Sequence, residues 1–265
     1  MSLEFYNIAR TVIAVSGEDR LSFLQGLMTQ DLHLITPEQR AVYSCLLTPQ
    51  GKFDFDFFVF DDEAQKRYLL DIETGREDIF CATLKKFKLR SKVSFDICPS
   101  LKVYASFLKP DDDFEYLFQD TRHHALGWRI FSEKNVTCAS SSHYEEQRVK
   151  LALPDGQKDI HIGLDSLAEV NLADSFAVCY TKGCFMGQEL TARMKYRGLR
   201  KKRLCAVMAD QLHAKDQLFY EGKELAHVRS SVNNHGLAIL PVDLIASHAT
   251  LTTQAGYSVK IIDAY

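Results

Sequence analysis

Two apolar runs separated by a five-residue turn constrain the fold most. Residues 41–47 and 53–60 have the composition of β-strands, and Thr-Pro-Gln-Gly-Lys at 48–52 has the chemistry of a tight turn. In the second run, phenylalanines alternate with aspartates over residues 53–57. This alternation predicts a half-buried strand with the aromatic rings inward and the carboxylates on an exposed face. The sequence therefore predicts an antiparallel β-hairpin near the start of the chain.

Helices and strands are interspersed up to about residue 200, and strands follow one another after it. Helical spacing of apolar residues predicts helices that begin near Ser16, Thr74 and Ser142. Further strands are predicted at 68–72, 92–97, 103–107, 116–118, 128–131, 203–208, 224–232, 236–239 and 257–262. We interpret this pattern as an α+β body over residues 1–200, formed by two interleaved subdomains, and a C-terminal β-barrel domain over residues 201–265.

Composition narrows the class of protein. The chain has 265 residues and a net charge of −3, which argues against a general nucleic-acid binder. Its apolar stretches are far shorter than a membrane span, and its N-terminus lacks the basic and apolar regions of a signal peptide. The seven cysteines form no Cys-x-x-Cys pair, so neither a disulfide framework nor a metal site is expected. These observations predict a cytoplasmic protein.

One segment stands out chemically. Gly183 and Gly187 bracket Cys184, and a helix is predicted to begin near Gly187. A cysteine before a helix N-terminus, with Lys182 nearby, lies where the thiolate is favoured. Residues 182–203 hold eight basic residues and a single acid, which suggests an anionic ligand or partner. The alternatives are a buried, inert cysteine and a solvated linker into the barrel.

At this segment the sequence resembles a known family. Lys-Gly-Cys-Phe-Met-Gly-Gln-Glu at 182–189 is similar to the KGC[YF]xGQE signature of the YgfZ family. Members are folate-binding proteins related to the T-protein (aminomethyltransferase) of the glycine cleavage system, and they act in maturation or repair of iron–sulfur enzymes. Weaker matches in the family's order lie at 15–27, 46–52, 89–93 and 126–129.

The resemblance implies a T-protein cloverleaf of three domains around a central hole that binds tetrahydrofolate. Cys184, at the mouth of the hole, and Lys182 are the implied catalytic residues. The thiolate could act as a nucleophile, a redox group or a transient metal ligand. Candidate folate-binding residues are Gly183, Gly187, Gln188, Glu189, Arg193, Glu169, Tyr43 and Trp128. Glu169 matches the acid of a P-x-E-x-N-L stretch in which Leu167 replaces the proline.

One departure from the T-protein guides the functional hypothesis. The alignment places the paired aspartates of that enzyme on Phe55 and Asp56, so one acid is lost. We therefore expect a folate-binding accessory protein for [4Fe–4S] cluster assembly or repair, with iron–sulfur assembly proteins or client enzymes as partners. A folate-dependent aminomethyltransferase and a tRNA-modification factor are the alternatives. No membrane association and no direct nucleic-acid binding are expected.

Overall fold

The computed structural model describes residues 3–111, 114–198 and 200–262. The strands are β1 Tyr6–Asn7, β2 Arg10–Ser16, β3 Ala41–Leu47, β4 Phe53–Asp62, β5 Arg67–Glu73, β6 Ser94–Cys98, β7 Lys102–Ser106, β8 Tyr116–Gln119, β9 Trp128–Ser132, β10 Lys202–Met208, β11 Gln217–Tyr220, β12 Lys223–Val232, β13 His235–Pro241, β14 Leu251–Thr253 and β15 Ser258–Ile262. The α-helices are α1 Arg20–Leu27, α2 Glu77–Lys88, α3 Ser142–Lys150, α4 Gly156–Asp159, α5 Gln188–Tyr196 and α6 Val242–Ala246.

The central layer is a five-stranded antiparallel sheet in the order β3-β4-β5-β2-β6. The predicted hairpin is its β3–β4 edge, but β4 is buried on both faces rather than one. A register shift between Leu46 and Leu47 breaks the alternation. As a result, the three rings are divided between two separate apolar clusters. Phe55 and Phe57 pack in the cluster that includes residues of α1 and α2, and Phe53 packs in a different one.

A second sheet packs on the first and is tied to it by buried charge. It has the order β1-β7-β9-β8. Arg129 on β9 and Asp71 on β5 form an ion pair of 2.6 Å, and both side chains are buried. The other carboxylate oxygen of Asp71 accepts the backbone N–H of Phe58 at 2.7 Å. Because both ions are hydrogen-bonded, the pair fixes how the two sheets meet.

The C-terminal strands close into a barrel in the order β10-β13-β12-β11-β14-β15. Closure leaves no free sheet edge, and the interior is an apolar cluster of its own. The sequence did not predict β11 or β14, which have only four and three residues. The division into a body over 1–200 and a barrel over 201–265 stays a prediction. Within the described ranges, no helix combines the length and the apolar character needed to cross a membrane.

Candidate functional site

The loop that carries Cys184 is hydrogen-bonded to residues 28–30, which are distant from it in sequence. Lys182 Nζ donates to the carbonyl oxygens of Met28 and Gln30 at 2.9 and 2.8 Å. The backbone N–H of Cys179 donates to the Thr29 carbonyl at 2.9 Å, and the Thr29 hydroxyl donates to the Ala177 carbonyl at 2.6 Å. Four hydrogen bonds to one short segment hold the loop against the body.

Lys182 is therefore placed inside the protein. Burial lowers the pKa of its amine to about 8, and the nearby Asp31 offsets only part of this effect. The amine is oriented by backbone carbonyls, so it positions the loop that carries Cys184. Its predicted catalytic role stays a prediction.

The pKa of Lys182 gives a measurable pH dependence. Between pH 8 and the usual pKa of 10.5, the unfolded chain holds a proton that the folded chain has released. Stability should therefore rise with pH in this window, by at most about 1.4 kcal/mol per pH unit. Unfolding by denaturant at about pH 7 and about pH 10 should show the free energy of the wild type rising relative to a Lys182→Met variant. A pH-independent difference between the two proteins would contradict the assignment.

Gly187 joins the Cys184 loop to the β3–β4 turn. It precedes α5 with a φ of 77°, in the left-handed region. A Cβ on Gly187 would lie 2.8 Å from the Thr48 carbonyl oxygen and 2.9 Å from Gly51 Cα. Gly51 is equally constrained, because a Cβ there would lie 2.7 Å from the Gly187 carbonyl oxygen. Two of the matched sequence motifs thus meet backbone to backbone.

Cys184 is exposed at the rim of a cleft of about 520 Å³. The cleft is lined by Leu21, Gln25 and Gly26 from α1, by His33 from the segment after it, and by Lys182 and Gly183 beside the cysteine. A hydrogen bond of 3.2 Å from Met186 N to the Gly26 carbonyl closes the loop onto the end of α1. The thiol is thus accessible on a loop that is hydrogen-bonded to α1 and to residues 28–30.

Five of the other six cysteines are less exposed than Cys184. Cys45, Cys81 and Cys205 are buried, and Cys98 and Cys179 are partly buried. Cys138 is also exposed, although partial burial of its sulfur raises the pKa of its thiol. Exposure alone therefore does not single out Cys184, and Cys138 serves as a natural control for it.

The predicted folate-binding residues on α5 make local contacts. The Gln188 side-chain oxygen accepts the Phe185 N–H at 3.4 Å, next to Cys184. Glu189 and Arg193 form an exposed i,i+4 ion pair of 2.6 Å, a type of contact that contributes little stability. The structure places this pair on the outer surface of the helix.

Tyr43 lies in a buried polar centre. Its hydroxyl donates to Asp56 at 2.6 Å, and Arg10 contacts both carboxylate oxygens of Asp56, at 3.2 and 2.6 Å. Burial and the neighbouring Asp56 raise the pKa of Tyr43 well above its usual value. Glu73 packs against Gly156 beside Asp56, and burial followed by the Asp56 charge raises the pKa of Glu73. Asp56 is thus buried, not on the exposed face that the alternation of residues predicted.

Glu169 lines a second cleft, of about 630 Å³, between the body and the barrel. Its carboxylate accepts the N–H and the hydroxyl of Ser166 at 3.0 and 2.6 Å. Four cationic side chains line the same cleft, Lys158, Lys202, Lys215 and Arg229. Trp128 is elsewhere, on the four-stranded sheet, where Lys109 lies 5.2 Å from its ring.

The residues of the predicted site therefore do not lie together in the structure. Lys182, Gly183 and Cys184 share one cleft, Glu169 lines another, and Tyr43 is buried. Of the eight basic residues at 182–203, only Lys202 lines the cleft at Glu169. The other three cations there come from separate segments, so no local run of charge could have identified them. Within the described parts of the chain, no group of three or more His, Cys, Asp and Glu residues is placed to hold a metal ion.

No family model matches the chain. The human mitochondrial iron-sulfur cluster assembly factor IBA57 is 27% identical over 95% of this chain and 81% of its own length. The mouse protein of that name is 28% identical over 75% of this chain and 64% of its own length. The mitochondrial IBA57 homolog of Mycosarcoma maydis is 32% identical over 74% and 54%.

A solved structure shows the fold. The crystal structure of glycine cleavage system aminomethyltransferase T from Bartonella henselae superposes with a TM-score of 0.78, covering 98% of this chain and 84% of that one, at 15% sequence identity. The chain thus has the aminomethyltransferase T fold, with mixed helices and strands and a closed six-stranded C-terminal barrel. The predicted fold class is confirmed.

The predicted location is wrong. The sequence relatives from human, mouse, Pyricularia oryzae and Mycosarcoma maydis are all named as mitochondrial proteins. The prediction of a cytoplasmic protein rested on composition and scattered cysteines, and these features do not distinguish two reducing compartments. The chain also spans less than two thirds of the mouse, Pyricularia and Mycosarcoma proteins.

Proposed function

We propose that this chain is an accessory factor in the assembly of [4Fe–4S] clusters, acting through Cys184 and a bound reduced folate. The observation that carries the proposal is the similarity over 95% of the chain to a protein named as an iron-sulfur cluster assembly factor. The exposed thiol of Cys184, on a loop held by Lys182, is a group suited to this role. One thiolate cannot hold a [4Fe–4S] cluster, so assembly proteins or client enzymes must supply further ligands.

Cells that lack the chain provide the direct test. The activity of a [4Fe–4S] enzyme should fall in those cells and return when the chain is restored, while a cluster-free enzyme from the same compartment stays unchanged. Immunoblotting should show that the client polypeptide is still made, because the defect lies in its cluster. Normal activity of several [4Fe–4S] enzymes in those cells would reject the proposal.

The cleft between the body and the barrel fits a reduced folate. It offers an apolar wall, formed by Leu225, Val228 and Ile239, and the carboxylate of Glu169. A planar heterocycle with N–H donors needs this combination of an apolar surface and a charged acceptor. When bound, tetrahydrofolate would supply one-carbon chemistry, and the residues of the chain would orient it.

Glu169 gives a test of folate binding that is independent of cluster assembly. Glu169→Gln should weaken the binding of tetrahydrofolate about tenfold or more in calorimetric titration, since a charged acceptor is lost. Glu63→Gln is the matched control, because Glu63 is exposed and lies outside this cleft. Equal affinities of the two variants would argue against this cleft.

The second candidate function, aminomethyl transfer, conflicts with the surroundings of Asp56. Arg10 and Tyr43 engage its carboxylate, and it is 1% exposed. A catalytic acid or base needs a carboxylate oxygen within reach of the substrate, and both oxygens of Asp56 already accept hydrogen bonds from Arg10 or Tyr43. Incubation with an aminomethyl-lipoyl carrier and tetrahydrofolate should therefore give no methylene-tetrahydrofolate above background. Robust turnover would restore the transferase hypothesis and make Asp56 a catalytic residue.

A further inference from the structure

We propose that residues 85–92, at the C-terminal end of α2, bind the surface of an anionic lipid membrane. We call this segment the basic tip. It holds five cationic residues and no acid, in a chain whose net charge is −3. Neither Cys184 nor the cleft at Glu169 belongs to it. The expectation of no membrane association rested on the absence of a spanning segment, and a protein can bind a membrane surface without one.

Most cations of the basic tip are unpaired. They are Lys85, Lys86, Lys88, Arg90 and Lys92. Only Lys92 has an ion-pair partner within residues 3–111, 114–198 and 200–262, and this is the exposed Glu18 at 2.8 Å. The dipole of α2 favours cations in its last turn, but the helix ends at Lys88, so the dipole does not account for Arg90 or Lys92. This concentration of unpaired positive charge attracts a polyanion.

Leu89 is an exposed aliphatic side chain among these cations. It directly follows α2, its φ is 43°, and it is 88% exposed. Helices that end in this left-handed region usually have Gly or Asn there, because the Cβ of other residues is strained. Neither burial nor backbone conformation explains a leucine at this position. Lys85 and Lys86 precede it by four and three residues, the spacing of neighbours on a helix surface.

The combination of unpaired cations and one protruding leucine favours a lipid surface over other polyanions. The cations would contact anionic headgroups while the aliphatic side chain enters the boundary with the acyl chains. Single-stranded nucleic acid requires exposed rings for base stacking, but the ring of Phe87 packs against the core beneath α2. A protein partner requires a broader apolar contact, and Leu89 is the one exposed large apolar side chain within residues 85–92.

The basic tip adjoins the cleft that holds Cys184. Glu18, the ion-pair partner of Lys92, lines that cleft. The backbone N–H of Lys92 also donates to the Asp19 carboxylate at 2.7 Å, directly before α1. Membrane binding at the tip would therefore place the Cys184 cleft beside the lipid surface.

Co-sedimentation of the full chain with vesicles tests the proposal. The vesicles are pure phosphatidylcholine and phosphatidylcholine with about 30% phosphatidylglycerol, in about 0.1 M salt. The proteins are the wild type, Lys85→Gln/Lys86→Gln, Leu89→Asn, and a Lys223→Gln/Lys260→Gln control that neutralises two exposed barrel lysines. All five changed positions are exposed, so the variants should fold, which circular dichroism checks.

The wild type and the control should bind the anionic vesicles and not phosphatidylcholine alone. This binding should weaken as the salt concentration rises from about 0.1 M to about 0.5 M. Lys85→Gln/Lys86→Gln should weaken it about tenfold or more, since each cation near an anionic surface contributes about fivefold. Leu89→Asn suits the left-handed backbone and should also weaken binding about tenfold, because the inserted aliphatic group is lost.

Several results would overturn the proposal. They are failure of the wild type to bind anionic vesicles, equal binding by Lys85→Gln/Lys86→Gln, and an affinity unchanged by Leu89→Asn. Polyuridylic acid or poly-L-glutamate that binds the wild type as tightly as the anionic vesicles do, and loses affinity for Lys85→Gln/Lys86→Gln, would instead assign the tip to nucleic acid or to an acidic protein. None of these results bears on Cys184 or on cluster assembly, so the proposed function is tested separately.

Discussion

Replacement of Cys184 by alanine should reduce the activity of [4Fe–4S] client enzymes to the level of cells that lack the chain. The Cys184 thiol is exposed, and alanine removes it without touching the hydrogen bonds of Lys182 that hold the loop. Stability should change by no more than about 0.5 kcal/mol, because an exposed side chain is shortened. The measurement is client-enzyme activity after expression of the variant, with chain abundance checked by immunoblotting.

Cys138→Ala is the matched control, since Cys138 is also an exposed free cysteine. It should restore client activity fully. Brief alkylation near neutral pH should also label Cys184 ahead of Cys138, because burial raises the pKa of the Cys138 thiol. If Cys184→Ala restores activity as well as Cys138→Ala does, the cysteine has no chemical role in the function.

Gly187→Ala should destabilise the protein by about 2–4 kcal/mol. The new methyl group would meet the Thr48 carbonyl, Gly51 Cα and Leu47 Cβ at 2.8–2.9 Å, on a residue whose φ is 77°. These neighbours are backbone atoms or a Cβ, so they cannot move aside as the end of a flexible side chain would. Equilibrium unfolding in denaturant measures the difference.

Gly183→Ala is the control in the same loop. A Cβ at Gly183 would have no atom within 4 Å, and this glycine has no positive φ. Its stability should remain within about 0.5 kcal/mol of the wild type. Similar losses from both substitutions would mean that the contact between Gly187 and the β3–β4 turn does not hold the loop.

Local patterns predicted much of the fold. The structure places β3 at Ala41–Leu47, the bounds that the apolar run predicts, and α5 begins at Gln188, next to the glycine expected to start a helix. The barrel was recognisable because β10, β12 and β13 are long and separated by turn residues. Such elements are specified by residues near one another in sequence, which is why a pattern can reveal them.

Features that depend on tertiary contact were not predictable. The register shift at Leu46 separates Phe53 from Phe55, and no periodicity in the sequence signals it. Asp56 looks like a surface residue until Arg10 and Tyr43 are brought against it. The cations of the cleft at Glu169 likewise come from separate segments of the chain. In each case the information lies in how distant segments meet.

The hydrogen bonds between the Cys184 loop and residues 28–30 also have a consequence for biosynthesis. Its hydrogen bonds join residues 148 to 154 positions apart, such as Thr29 with Ala177 and Lys182 with Met28. Contacts of this separation form late, since the intervening chain must first be ordered. During translation the first sheet can assemble long before the cysteine is held in its cleft. Nascent chains would therefore lack the organised thiol site until most of the polypeptide had left the ribosome.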